Sequence, residues 1–146
     1  MKAAHLLDVN VLVAMSWPAH VHHEKAQRWF AQHASRGWAS CPMTEAGFIR
    51  IISSPAFSPH AVSIKDALDA LKSNTSHPKH EFWPDHLAVA PALSGAQDRI
   101  VGHKQVTDAY LLALAIHHSA KLATLDRGLA KWAAEGPGRA HVELVE

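Results

Sequence analysis

The sequence predicts an α/β domain with a central, mainly parallel sheet flanked by helices. Strand-like segments recur at 5–7, 38–41, 80–83, 121–126 and 140–145, and stretches of helical spacing separate them. Strands alternating with helices favour parallel pairing, because each crossover needs a helix-length connection. The 146 residues, 48% apolar and 18% charged, suit one domain spanning 1–146 with a sizeable core.

His5-Leu6-Leu7 reads as a buried strand ending near Asp8, with a helix before Trp17-Pro18. Ala26, Trp29, Phe30, His33 and Ala34 fall at helical spacing, and Gly37 marks a stop. Trp38 to Cys41 is the second strand. Pro42 suits the first turn of the next helix, whose apolar stripe is Phe48, Ile49 and Ile52 before Pro55. Ile64, Ala67, Leu68 and Leu71 form a further amphipathic helix, with Ser63 and Asp66 spaced as a capping box. His80 to Trp83 is a weak third strand, and a short helix is expected within 91–97. Residues 105–119 are apolar nearly all round, as a buried helix requires. Lys121 to Asp126 reads as a strand closing on an acid, 127–134 as a short helix, and 140–145 as an edge strand.

Lys and Arg number 14 against 13 Asp and Glu, a balance that excludes a strongly basic or acidic tail as the working element. One cysteine, Cys41, excludes an intramolecular disulfide or a Cys-based zinc site and points to a reducing compartment. Asp8 and Asn10 interrupt the apolar start, and no run reaches the ~18 apolar residues of a membrane helix. The expectation is a cytoplasmic protein with no membrane role.

Four acids map to one edge of the expected sheet. Asp8 and Asp126 end strands, while Glu45 and Asp108 begin the helices that follow strand two and the 80–104 segment. Ligands of open α/β sheets bind along that edge. Carboxylates sharing a crevice repel, and a helix N-terminus offsets only ~0.3–1 kcal/mol each. A hard divalent cation resolves the conflict, and an all-oxygen donor set suits Mg²⁺ or Mn²⁺. Phosphodiester hydrolysis uses such a site well. Asp66 and Asp98 fit simple helix-start roles, but an acid within Leu6-Leu7-Asp8-Val9 is costly to bury unpaired.

The set Asp8-Val9-Asn10, Thr44-Glu45-Ala46-Gly47-Phe48-Ile49-Arg50-Ile51, Val106-Thr107-Asp108-Ala109 and Thr124-Leu125-Asp126 resembles the motifs of PIN-domain ribonucleases. More narrowly, it resembles the VapC-type toxins of bacterial type II toxin–antitoxin modules, in the right order over nearly the whole chain. The resemblance implies a three-layer PIN-like fold and a Mg²⁺-dependent endoribonuclease acting on RNA. It also implies a homodimer and a cognate VapB-like antitoxin. Carried over position by position, Asp8, Glu45, Asp108 and Asp126 form the catalytic, metal-holding quartet. Asn10 and Thr124 match positions that orient the first and last acids. The stretch from His77 to Lys104 follows no family pattern.

Arg50, Lys104 and Arg127 stand next to the acidic motifs and are candidates for RNA phosphate contacts. Trp17, Trp83 and Trp132 are candidates for base stacking, whereas Trp29 and Trp38 sit in core-like patterns. The 13 histidines are scattered, and adjacent pairs such as His117-His118 point ~100° apart on a helix. Structural roles are expected for them. Two other functions compete with the nuclease. A haloacid-dehalogenase-like phosphatase wants a second Asp where Asn10 stands, and a noncatalytic RNA- or protein-binding module would not need all four acids.

Overall fold

The computed structural model describes residues 2–146. In chain order the elements are β1 (His5–Leu7), α1 (Val9–Ser16), α2 (His23–His33), β2 (Trp38–Ser40), α3 (Pro42–Ile52) and α4 (Ile64–Thr75). There follow β3 (His80–Phe82), α5 (Val89–Ser94), α6 (Lys104–His117), β4 (Lys121–Thr124), α7 (Arg127–Ala134) and β5 (Val142–Leu144). The strands form one sheet in the order β3-β2-β1-β4-β5, and every pairing is parallel.

Side-chain alternation along the strands divides the apolar residues between two faces. Leu6, Ala39 and Leu122 pack with Tyr110, Leu111 and Leu114 of α6 and Leu129 of α7. Leu7, Trp38 and Ala123 face the other way, against Val11 and Leu12 of α1, Trp29 of α2, Phe48 of α3 and Ala67 of α4. The result is three layers, with α1 to α4 on one face and α5 to α7 on the other. Among the described residues no helix is long and apolar enough to cross a membrane.

Local chemistry explains where elements start and stop. Val9-Asn10-Val11-Leu12-Val13 is rich in β-branched residues, yet it is helical, because Asp8 caps it by accepting from the Val9 N–H and Val11, Leu12 and Val13 are buried. Tertiary burial overrides the weak strand preference. Gly37 has φ of +84°, and a Cβ there would stand 3.0 Å from the Ala3 Cα, so the turn into β2 needs glycine. Ser63 Oγ accepts from the Asp66 N–H at 3.1 Å, opening α4 as its spacing predicts.

The sequence reading needs adjustment at several boundaries. α2 begins at His23 and ends in a 3₁₀ turn at Ala34–Arg36. α5 runs from Val89 to Ser94, earlier than the expected 91–97, with Pro91 in its first turn, where no N–H is required. α6 is not buried all round, since Val106 and Ile116 remain exposed.

A candidate metal-dependent active site

Parallel pairing brings the site together. β1 and β4 are neighbours with Leu7 opposite Ala123, and the Asp8 N–H continues the ladder to the Ala123 carbonyl at 2.9 Å. Asp8 and Thr124 therefore meet at the ends of adjacent strands. The Thr124 hydroxyl donates to Asp8 Oδ2 at 2.8 Å. Its oxygen accepts from the Asn10 amide at 3.2 Å and from the Asp126 N–H at 3.0 Å. The Val9 N–H satisfies Asp8 Oδ1 at 2.8 Å. Asn10 is held in turn, because its Oδ1 accepts from the Leu125 N–H at 3.1 Å. Asp126 caps α7 by accepting from the Leu129 N–H at 3.1 Å. One fully buried hydroxyl thus ties the turns after both strands to the first acid.

Asp108 comes from the second turn of α6 and faces the same space. A cavity of about 380 Å³ is lined by Asp8, Asn10, His20, Asp108 and Asp126. A second, of about 240 Å³, is lined by Lys104, Gln105, Asp108, Asp126 and Trp132. Asp108 and Asp126 stand in the wall between the two. Burial, and then the charges of Asp8 and Asp126, push the Asp108 carboxyl up to about 6. Burial also raises Asp8, against the hydrogen bonds from Thr124 and Val9. Among the described residues none of these three acids forms a salt bridge. Oxygen donors alone, crowded enough to disfavour ionisation, fit a hard divalent cation such as Mg²⁺ or Mn²⁺.

Glu45 occupies the same sheet edge, one turn into α3 after β2. α3 lies close to the start of α1: a Cβ on Gly47 would meet Val9 Cγ2 at 2.8 Å. Glu45 does not line the two cavities. Its Oε2 accepts from the Ser40 hydroxyl at 2.6 Å, and Ser40 Oγ lies 2.8 Å from His80 Nε2. The single hydroxyl hydrogen goes to Glu45, so His80 is the donor to Ser40. Ser40 is fully buried and serves as an anchor for Glu45.

The remaining candidates separate. Lys104 shares the smaller cavity with Asp108 and Asp126. Arg50 and Arg127 are exposed. Trp132 lines the cavity wall with Arg99 over its ring at 4.6 Å. Trp83 is withdrawn from stacking on RNA bases, because it is 1% exposed in the core. Cys41 is buried and its thiol is pushed up to about 11, which removes it as a nucleophile. His20 is a wall residue that sequence reasoning missed. It lies in the connection between α1 and α2, where only the His-rich run 20–23 marks it. The His22 N–H donates to its Nδ1 at 3.0 Å, so in the neutral ring the proton sits on Nε2.

A parallel-sheet edge that clusters a buried carboxylate after β1 with a second after β4 and a third from α6 defines a nuclease-like α/β class. A match to the PIN domain family covers residues 5–135, and the chain belongs to that family. Among curated relatives it is 44% identical to Ribonuclease VapC39 of Mycobacterium tuberculosis over 131 residues, covering 90% of this chain and 94% of the relative. It is 42% identical to Ribonuclease VapC44 of the same organism over 140 residues, covering 96% and 98%. The crystal structure of PAE2754 from Pyrobaculum aerophilum matches with a TM-score of 0.61 at 21% identity. That match covers 89% of this chain and 79% of the other, and shows a shared fold.

Proposed function

We propose that this chain, acting as one domain across 1–146, is a metal-dependent endoribonuclease toxin of the VapC type. The observation that carries the reading is the convergence of Asp8, Asp108 and Asp126 on one groove, where burial and then the neighbouring acids raise Asp108 to about 6. The relatives' names, both ribonucleases, supply the substrate class. Asp8 and Asp108 would hold Mg²⁺ (or Mn²⁺) directly, with Asp126 and Glu45 completing or supporting the site. The bound ion supplies charge neutralisation at the phosphodiester and a more acidic water.

The chain's own residues have defined tasks. Thr124 and Asn10 fix the rotamer of Asp8, and Ser40 fixes Glu45. Lys104 is placed to meet a phosphate beside Asp108, with Arg127 and Arg50 adding outer charge. In-line attack of water on phosphorus expels the 3′ oxygen and leaves 5′-phosphate and 3′-hydroxyl ends. A homodimer in the cytoplasm, silenced by a VapB-like antitoxin that sets a Lys or Arg among the acids, completes the proposal.

The test is RNA cleavage by the purified chain with Mg²⁺, with EDTA, and as Asp8→Asn and Asp108→Asn. Each variant is expected to fall at least ~100-fold while keeping its fold. Sequencing the cleaved ends checks the direction of attack. Undiminished cleavage in EDTA or by either variant overturns the proposed chemistry.

A further inference from the structure

Away from the acidic groove, the fold brings a distant third histidine to an adjacent pair. His117 ends α6, His118 follows it, and His86 comes from the segment between β3 and α5. One ring nitrogen from each lies within 4.8 Å of the others. The His86 ring centroid is 4.6 Å from that of His117 and 5.3 Å from that of His118, and the latter two are 5.2 Å apart. Adjacent residues on a helix diverge, as expected for His117 and His118, but the third ring arrives from another segment and closes the gap.

The bonding of the rings prepares them as ligands. His86 Nδ1 lies 2.9 Å from the Pro84 carbonyl, which only accepts, so Nδ1 holds the proton and Nε2 keeps its lone pair. A backbone carbonyl on the far nitrogen is the usual support of a metal-ligating imidazole. His118 is fixed by stacking on the buried Trp83 at 3.7 Å between centroids. Its Nε2 is screened from solvent and makes no hydrogen bond among the described residues. Burial, with His117 and His86 adding to it, keeps His118 below the usual imidazole range, which favours the neutral ring.

We propose that His86, His117 and His118 form a binding site for a borderline divalent transition metal of the Zn²⁺ class. Three imidazoles suit Zn²⁺ and reject Mg²⁺, which prefers oxygen. A tetrahedral ion ~2.0–2.1 Å from each nitrogen places them ~3.3–3.4 Å apart, a contraction that the exposed His86 and His117 rings can make. His117 is nine residues beyond Asp108 on the same helix, ~13 Å along its axis, so the site is separate from the acidic groove. Occupation would pin the segment after β3 to the end of α6.

The experiment uses the untagged full chain, titrated with Zn²⁺ in excess Mg²⁺ by calorimetry, with Co²⁺ absorption as the coordination readout and a thermal melt beside it. One Zn²⁺ per chain is expected, with a tetrahedral Co²⁺ spectrum and a melting temperature that rises with Zn²⁺. His86→Gln and His117→Gln, both at exposed positions, are each expected to weaken binding at least tenfold and abolish the thermal shift. Asp8→Asn is expected to bind Zn²⁺ as the parent does. Zn²⁺ affinity unchanged in both His variants, binding lost in Asp8→Asn, or no Zn²⁺ held against Mg²⁺ would each overturn the assignment.

Discussion

Replacing Asp108 by Asn should stabilise the metal-free protein, with the gain confined to one pH range. The carboxyl rises from 3.8 to about 6 on folding, first through burial and then through Asp8 and Asp126. A carboxyl with a raised folded pKa binds its proton more tightly in the native state. Stability therefore falls as pH rises from the unfolded value through the folded one, and the penalty is complete above about 6. Two units at ~1.36 kcal/mol each set a ceiling of ~3 kcal/mol, and solvent at this half-buried group reduces it to ~1–2 kcal/mol. Asn keeps the shape without the charge. In EDTA at pH 7.5 the variant should melt ~3–6 °C above the parent, and the difference should vanish near pH 4. Paired melts across pH cancel the histidine titrations common to both proteins. A variant no more stable at pH 7.5, or a gain independent of pH, would refute the idea that the three acids crowd one another.

Thr124→Val removes the donor to Asp8 and the acceptor for the Asp126 N–H, and should raise the Mg²⁺ midpoint of RNA cleavage ~10–100-fold with partial recovery at saturation. A Mg²⁺ titration of the rate checks it. Gly47→Ala sets a Cβ 2.8 Å from Val9 Cγ2 and should cost ~1–3 kcal/mol by denaturant unfolding, partly restored by Val9→Ala in the same chain. Lys104→Gln should lower RNA affinity in Ca²⁺ and reduce the salt slope by ~0.7, the value for one phosphate of a single strand.

Much of this fold is legible in the residues because local preference and burial agree. Pro42 at a helix start, Gly37 at a stop and the buried triplets of β1 and β2 each have one favourable use. The meeting of Asp8 with Asp126 follows from strand ends sharing an edge, which the pairing of β1 with β4 supplies, and Asp108 joins them from α6. Two things were not legible. Glu45 shares that edge, but its link to Ser40 and His80 depends on β2–β3 register, which a three-residue strand does not encode alone. The meeting of His86 with His117 and His118 depends on how the segment after Trp83 lies across α6, where the Tyr110 hydroxyl holds the Leu87 carbonyl at 3.0 Å. Contacts between distant loops leave no period in the sequence. Most other histidines do follow the simple expectation: His23 and His33 bond nearby carbonyls, and His5 pairs with Glu143.

The strand order has a consequence for the growing chain. β1 precedes the other four strands yet lies at the centre, and its partner β4 is made only after β2 and β3. An emerging polypeptide can lay β2 and β3 on one side of β1 while the other side stays open. Asp8 then lacks the Thr124 hydroxyl, and Asp108 and Asp126 are not yet at its side. The groove comes into being only when residues near 126 have left the ribosome. The acidic groove is thus completed only after β4 and the turn beyond it have been made, and a product truncated in 95–103 would carry Asp8 and Glu45 without Asp108 and Asp126.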